Sequence, residues 1–244
     1  DYELAFKVRR HFILKMAVKS LVLDIDGVLL RDRNLLDHVR HNCERYVKAK
    51  LPECKEPARV NRLLYKTCGH TARGLQTLFG VDTSDFNKCV YDVPLRTRLW
   101  ETLSGTEFQQ EAAEIHKFTQ NGWKVTLFTN SPIEWASQVA DAINDEVCVS
   151  CPGANLMNSA LKPEAAAYRD FQKHHTHIFV DDSLPNLLTA RWLPNWHPVY
   201  FNEYKFEPGS LKPDWCPTID SIWELALFVN SADLQMANHE TYLY

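Results

Sequence analysis

The sequence holds no candidate membrane span. No apolar stretch approaches the roughly 18 to 20 residues needed to cross a bilayer. A basic stripe is missing too: Lys and Arg are scattered and the formal net charge is -4. That balance argues against a nucleic-acid polymer as partner, because such a partner demands many cations on one face. It leaves small anions open, since one lysine and one metal suffice locally. There is also no disulfide framework. The seven cysteines, Cys43, Cys54, Cys68, Cys89, Cys148, Cys151 and Cys216, are odd in number and irregularly spread in a chain of 244 residues. A chain that long does not need staples, and the pattern favours a reducing compartment, so a cytoplasmic protein is expected. Cys148 and Cys151 form a CxxC, but no second pair lies at zinc-ligand spacing, and the pair reads as part of a core strand. Internal repeats and low-complexity tracts are absent. With 45% hydrophobic and 24% charged residues the composition excludes a disordered chain.

An initial Met is lacking as well, while Met16 stands just ahead of the first strand. Residues 1–16, with Lys7, Arg9, Arg10 and Lys15 among Phe6, Phe12, Ile13 and Leu14, are therefore expected to be an N-terminal extension or part of a longer precursor, and residues 231–244 a polar C-terminal tail.

What the chain does contain is four short segments in order: Leu21-Val22-Leu23-Asp24-Ile25-Asp26-Gly27-Val28, Thr126-Leu127-Phe128-Thr129-Asn130-Ser131, Lys162-Pro163, and Ile178-Phe179-Val180-Asp181-Asp182-Ser183. Three of them begin with an apolar, β-branched run of the kind that forms a buried strand, and each run stops at a polar residue. In an open parallel sheet the carboxyl ends of the strands form the ligand crevice, so Asp24, Asp26, Thr129, Asp181 and Asp182 should converge there. Carboxylates crowded beside a low-dielectric core raise one another's pKa unless a cation joins them. Oxygen-only ligation with few protein ligands suits Mg²⁺, and Lys162 adds a second positive charge.

Around these segments the pattern alternates strand and helix. Trp123 to Thr129, Val147 to Cys151, His177 to Asp181 and His197 to Phe201 read as strands. Ser131-Pro132-Ile133-Glu134 reads as a capping box with Pro at the first helical position, Pro163-Glu164 as the start of the next helix, Leu184 to Trp192 as another and Ile219 to Phe228 as a closing one. Between the first and second strands, Val39, Cys43, Tyr46 and Val47, then Val60, Leu63 and Leu64, then Leu75, Leu78 and Phe79 fall at helical spacing. The expected architecture is α/β: a doubly wound parallel sheet from residues 17–33 and 106–230, with an all-helical cap subdomain inserted at 34–105 over the crevice.

On these segments the chain resembles the haloacid dehalogenase (HAD) superfamily, whose members carry DxD and a turn, a strand ending in Ser or Thr, a Lys at a helix start, and an acidic pair. The resemblance spans about residues 19–228. It implies that Asp24 is a nucleophile forming an aspartyl-phosphate and that Asp26 is the general acid and then the base. It further implies that Thr129, the Asn130 amide and Lys162 hold the phosphoryl group. Mg²⁺ would be held by Asp24, the Asp26 carbonyl and Asp182, with Asp181 direct or through water. Val28 and Asn186 depart from the usual Thr and second acid, and Asn186 is expected to orient Lys162 or a water.

A shorter stretch, Tyr65-Lys66-Thr67-Cys68-Gly69-His70-Thr71-Ala72-Arg73-Gly74-Leu75, is similar to the pyrimidine 5′-nucleotidase subgroup. It implies Tyr65 and His70 as faces for a nucleobase and Arg73 as a fork for an anion or carbonyl. The expected function is a Mg²⁺-dependent phosphomonoesterase of small metabolites, pyrimidine nucleoside 5′-monophosphates among them. A phosphosugar phosphatase, a phosphomutase and a non-catalytic binding protein of the same fold are the alternatives.

Overall fold

The computed structural model describes residues 19–155, 159–202 and 213–230. The expected N-terminal extension and C-terminal tail lie outside these residues. Six strands form the sheet: β1 (Lys19–Leu23), β2 (Lys124–Phe128), β3 (Cys148–Ser150), β4 (Thr176–Asp181), β5 (Trp196–Phe201) and β6 (Thr218–Ile219). They run parallel in the order β3-β2-β1-β4-β5-β6. The order reverses at β1, which pairs with β2 on one side and β4 on the other, and that junction is where an open α/β sheet forms its crevice. Leu23 lies opposite both Leu127 and Val180, so Asp24 leaves the sheet level with the end of β4.

Alternation along the strands supplies the two faces. Leu21 and Leu23, with Val125, Leu127, Ile178 and Val180, pack on one side against helices α6 (Thr106–Gln120) and α7 (Ile133–Ile143). Val22, Phe128 and Phe179 face the other side, against Tyr168, Leu187, Ala190 and Trp196, where α8 (Leu184–Arg191) lies. Each fully buried side chain of this size contributes about 1.5–3 kcal/mol.

Between β1 and α6 come α1 (Arg33–Lys50), α2 (Pro57–Cys68), α3 (Thr71–Phe79), α4 (Phe86–Val90) and α5 (Val93–Leu103). Asp32 caps α1 by accepting from the Asn34 and Leu35 amides, and Asp92 caps α5 by accepting from Leu95. The first four of these helices share a small core of their own, Tyr46, Val47, Leu64, Ala72, Leu75, Phe86 and Val90, joined by Leu161 from the chain ahead of Lys162. The last is different: Leu95, Leu99 and Leu103 of α5 join the core of the sheet.

Several local expectations need correction. Leu63, Leu78 and Phe79 are exposed at 60%, 54% and 51%; α3 meets α2 instead through Gly74, where a Cβ would lie 2.8 Å from Leu64. No α-helix opens behind Pro163, only a 3-10 turn at Ala165–Tyr168. The Tyr168 ring is drawn edge-on against Phe128 and Trp196, at 5.0 and 5.1 Å, and its hydroxyl donates to the Asn186 carbonyl. Each aromatic pair adds about 0.5–1.5 kcal/mol, more than helix propensity offers over a few residues. Ile219 belongs to β6, and the closing helix α9 (Ile222–Asn230) starts after it. There Ser221 Oγ accepts the Glu224 amide while the Glu224 carboxylate accepts the Asp220 amide. Cys148 is exposed at the end of the sheet and Cys151 donates to the Ser131 carbonyl.

Candidate functional site

Lys162 is the centre of the crevice. Its side chain is 2% exposed, and its ammonium lies 2.9 Å from Asp24 Oδ2 and 2.8 Å from Asp181 Oδ2. Behind it stand the rings of Phe128 and Phe179, with centroids 5.2 and 5.6 Å away. Burial alone would lower the lysine pKa, but Asp181 and Asp24 outweigh it and raise it, so the side chain is charged. The backbone of Lys162 is fixed by Asn130, whose Nδ2 donates to the Lys162 carbonyl at 2.9 Å while Oδ1 accepts its N–H at 3.0 Å.

Asp24 continues the β1 ladder, its N–H donating to the Val180 carbonyl, and its Oδ1 accepts from Ile25 N–H at 2.7 Å. Burial pushes its carboxyl up to about 8 despite the pull of Lys162. Asp181 is fully buried. Its Oδ1 accepts from Ser183 N–H and Asn186 Nδ2, and its Oδ2 accepts from Lys162 and from the same Asn186 amide, at 2.8 to 3.0 Å. A carboxylate has about four acceptor positions, so Asp181 is filled and acts by holding Lys162. Asn186 thus orients Asp181 rather than the lysine directly.

Oxygens of Asp24, Asp181 and Asp182 lie within 4.8 Å of one another; with Asp181 committed to Lys162, Asn186 and Ser183, Asp24 and Asp182 are the hard-oxygen donors that face the cavity. Burial, with Asp181 and Asp26 adding to it, holds the Asp24 carboxyl up even beside Lys162, and a divalent cation on these oxygens would offset that cost. Gly27 adopts φ 87°, and a side chain there would collide with the Asp182 carboxylate. Glycine is required for both reasons.

A cavity of about 390 Å³ opens from this cluster toward the helices, with Asp24, Asp26, Thr129 and Asp182 on the sheet side and Tyr65 and His70 opposite. Thr129 is buried and its hydroxyl accepts the Ser131 N–H at 3.0 Å. Tyr65 is half-exposed at the mouth. His70 caps α3: its Nδ1 accepts the Ala72 N–H at 3.1 Å, and its ring packs against Phe86. Burial, then the charge of Arg73, lowers its pKa to about 4, so the ring is neutral and the remaining proton sits on Nε2. Arg73 does not line the cavity, contrary to the sequence reading. Its guanidinium donates to the Ser159 carbonyl and lies 3.9 Å from Glu164, which ties α3 to the segment around Lys162.

No protein-family model matches the chain, and no curated protein does. Solved structures do match. An L-2-haloacid dehalogenase aligns over 88% of this chain and 100% of its own, at 12% identity and a TM-score of 0.50. A Bacteroides vulgatus protein assigned as a β-phosphoglucomutase aligns over 91% and 90%, at 13% identity and a TM-score of 0.51. The chain has the HAD fold. The likeness is one of architecture: the parallel sheet and its flanking helices align over nearly the full length of each protein.

Within the HAD fold, three residues reach the crevice that no sequence pattern singled out for it. Ser131 Oγ donates to Asp26 Oδ2 at 2.5 Å, and the Trp135 indole Nε1 donates to Asp26 Oδ1 at 3.2 Å. Tyr91 Oη lies 3.1 Å from Ser131 Oγ. The expected capping box is therefore not formed. Pro132 occupies the N-cap of α7, and the Ser131 hydroxyl is drawn to a carboxylate instead. With Pro132 at the N-cap, Ser131 stands one residue outside the helix, where its hydroxyl meets Asp26 and Tyr91 rather than the α7 amides. Burial raises the Asp26 pKa, and the bonds from Ser131 and Trp135 work against that rise.

Proposed function

We propose that this protein is a Mg²⁺-dependent phosphomonoesterase acting through an aspartyl-phosphate on Asp24, with residues 34–105 as a cap over the site. The observation that carries the reading is the Lys162 ammonium clamped between Asp24 and Asp181, while Asp26 is held apart on other donors. In the first step an Asp24 oxygen bonds to phosphorus as the ester oxygen departs with a proton from Asp26. In the second, water bonds to phosphorus, its proton passes to Asp26, and the Asp24–phosphorus bond breaks to release inorganic phosphate. Lys162, the Thr129 hydroxyl and the Asn130 amide offset the charge on the phosphoryl oxygens throughout. Asp24, Asp182 and the Asp26 carbonyl would hold Mg²⁺, which neutralises phosphoryl charge and orients the group when bound.

The substrates are small phosphate esters, pyrimidine nucleoside 5′-monophosphates among them. A cavity of about 390 Å³ is of ligand size, and it offers the Tyr65 ring and the His70 N–H to a leaving group. The test is release of inorganic phosphate from nucleoside monophosphates, sugar phosphates and p-nitrophenyl phosphate. Release is expected with Mg²⁺ and is lost with chelator. Release from none of them overturns the reading, and an isomerised sugar phosphate without free phosphate points to a phosphomutase.

A further inference from the structure

We propose that Ser131 and Trp135 are positioning residues for Asp26, and that Tyr91 makes this positioning depend on the helical insertion resting against the sheet. Its kinetic test rests on the phosphomonoesterase reading above.

Two donors on two different oxygens leave the Asp26 carboxylate little freedom to rotate, at 2.5 Å from Ser131 and 3.2 Å from Trp135. Both donors are themselves rigid. Ser131 is buried directly behind β2, and Trp135 is 2% exposed in the first turn of α7, packed in the core of the sheet. Asp24 and Asp181 share Lys162, whereas Asp26 is oriented by this second network.

The direction of that network follows from counting protons. Ser131 gives its one hydroxyl proton to Asp26 Oδ2, so the 3.1 Å contact with Tyr91 has the phenol donating to Ser131. A chain running Tyr91 to Ser131 to Asp26 polarises each bond in turn. The Tyr91 ring also packs edge-on against Trp135, at 5.2 Å and 68°, so one side chain supports both donors. Tyr91 lies between α4 and α5 and packs against both the sheet core and the smaller core of the insertion. A cap that lifted would therefore take away the support on which the Asp26 orientation depends.

General acid catalysis contributes about 10²- to 10⁴-fold and depends on placement, so loosening the acid gives up a part of that. The loss should fall on esters whose leaving oxygen needs a proton. The experiment measures kcat and KM for glycerol phosphate, a poor leaving group, and p-nitrophenyl phosphate, a good one. The variants are Ser131→Ala, Trp135→Phe and Tyr91→Phe. The alkyl-to-aryl ratio of kcat/KM should fall about tenfold in the first two and about threefold in the third, with KM little moved. Equal losses of kcat/KM on both esters, a ratio that ends at departure of the ester oxygen and so excludes the water step, would mean a structural role alone and overturn the proposal.

A second measurement needs no turnover. The Trp135 indole N–H resonance should move upfield and lose protection from hydrogen exchange in Asp26→Ala, and exchange faster in Tyr91→Phe. An unchanged indole signal overturns the proposal. If the wild-type protein hydrolyses neither ester, the phosphomonoesterase reading fails by itself, and the indole signal still decides the positioning.

Discussion

The two walls of the cavity are built differently. On the sheet side, Lys162 and Asp181 are 2% and 0% exposed, and each polar atom is held by neighbours that are themselves packed: Asn130 on the Lys162 backbone, Asn186 and Ser183 on Asp181. On the helical side Tyr65 is 56% exposed at the rim, and His70 has one ring nitrogen committed to capping α3, with Nε2–H remaining for other partners. The first wall has the preorganised character that chemistry on a charged group requires, and the second has the looser character of a surface that selects what enters. If that division is right, changes on the sheet wall should alter the reaction for every substrate, and changes on the helical wall should sort substrates from one another.

The largest effect expected is from Asp24→Asn, which should lower kcat by at least about 10⁴-fold on all esters, as loss of a nucleophile does elsewhere. Thermal unfolding should change little, because the Lys162–Asp181 pair remains. Activity within tenfold of wild type would remove Asp24 as nucleophile. Lys162→Met comes next, with a loss of about 10²- to 10³-fold, roughly 3–4 kcal/mol. This variant should also be less stable by about 3–5 kcal/mol, since Asp181 and Asp24 would lose the charge buried between them. A Lys162→Met protein unfolding at the wild-type denaturant midpoint would break the picture of an over-determined sheet wall.

On the helical wall the expected effects are smaller and more selective. His70 has a folded-state pKa of about 4 against about 6.5 when exposed, so the unfolded chain binds more protons between those values and stability falls as pH drops through that window. The contribution is about 3 kcal/mol in full, lost below pH 4. His70→Asn, which keeps a capping acceptor, should unfold with a shallower acid limb, as read from denaturant midpoints between pH 4 and 7. An unaltered slope would show that other groups govern that limb. Smallest is Arg73→Ala. Because its guanidinium reaches the Ser159 carbonyl and not the cavity, it should cost about 1–2 kcal/mol of stability and shift KM for nucleotides and aryl phosphates alike. A rise confined to nucleotides would return Arg73 to the substrate face.

The strands that present the acids were legible in the sequence because a Leu-Val-Leu or Ile-Phe-Val run stopping at Asp has few other physical solutions, and β1 and β4 end where those runs end. The helices between β1 and β2 showed in the spacing of Tyr46, Val47, Leu64 and Leu75, all buried among them. What the sequence hid was long-range or locally disguised. Ser131 and Trp135 meet Asp26 across 105 and 109 residues, and Ser131-Pro132-Ile133-Glu134 imitates a capping box well enough to conceal the contact. The turn after Pro163 was hidden because Tyr168 answers to rings on β2, β4 and β5 rather than to its own neighbours. Arg73 was misread for the same reason: a cation on a helix says nothing by itself about which carbonyl it will find.

The enclosure of Lys162, carboxylates before it and two aromatic faces behind, also sets its reactivity toward solutes. An amine held charged and out of contact with water is a poor target for acylating reagents, which attack only the uncharged form they can reach. Surface lysines would be tagged in the native protein and this one passed over until the chain opens, so its labelling would serve as a chemical clock for loss of the sheet's central crevice.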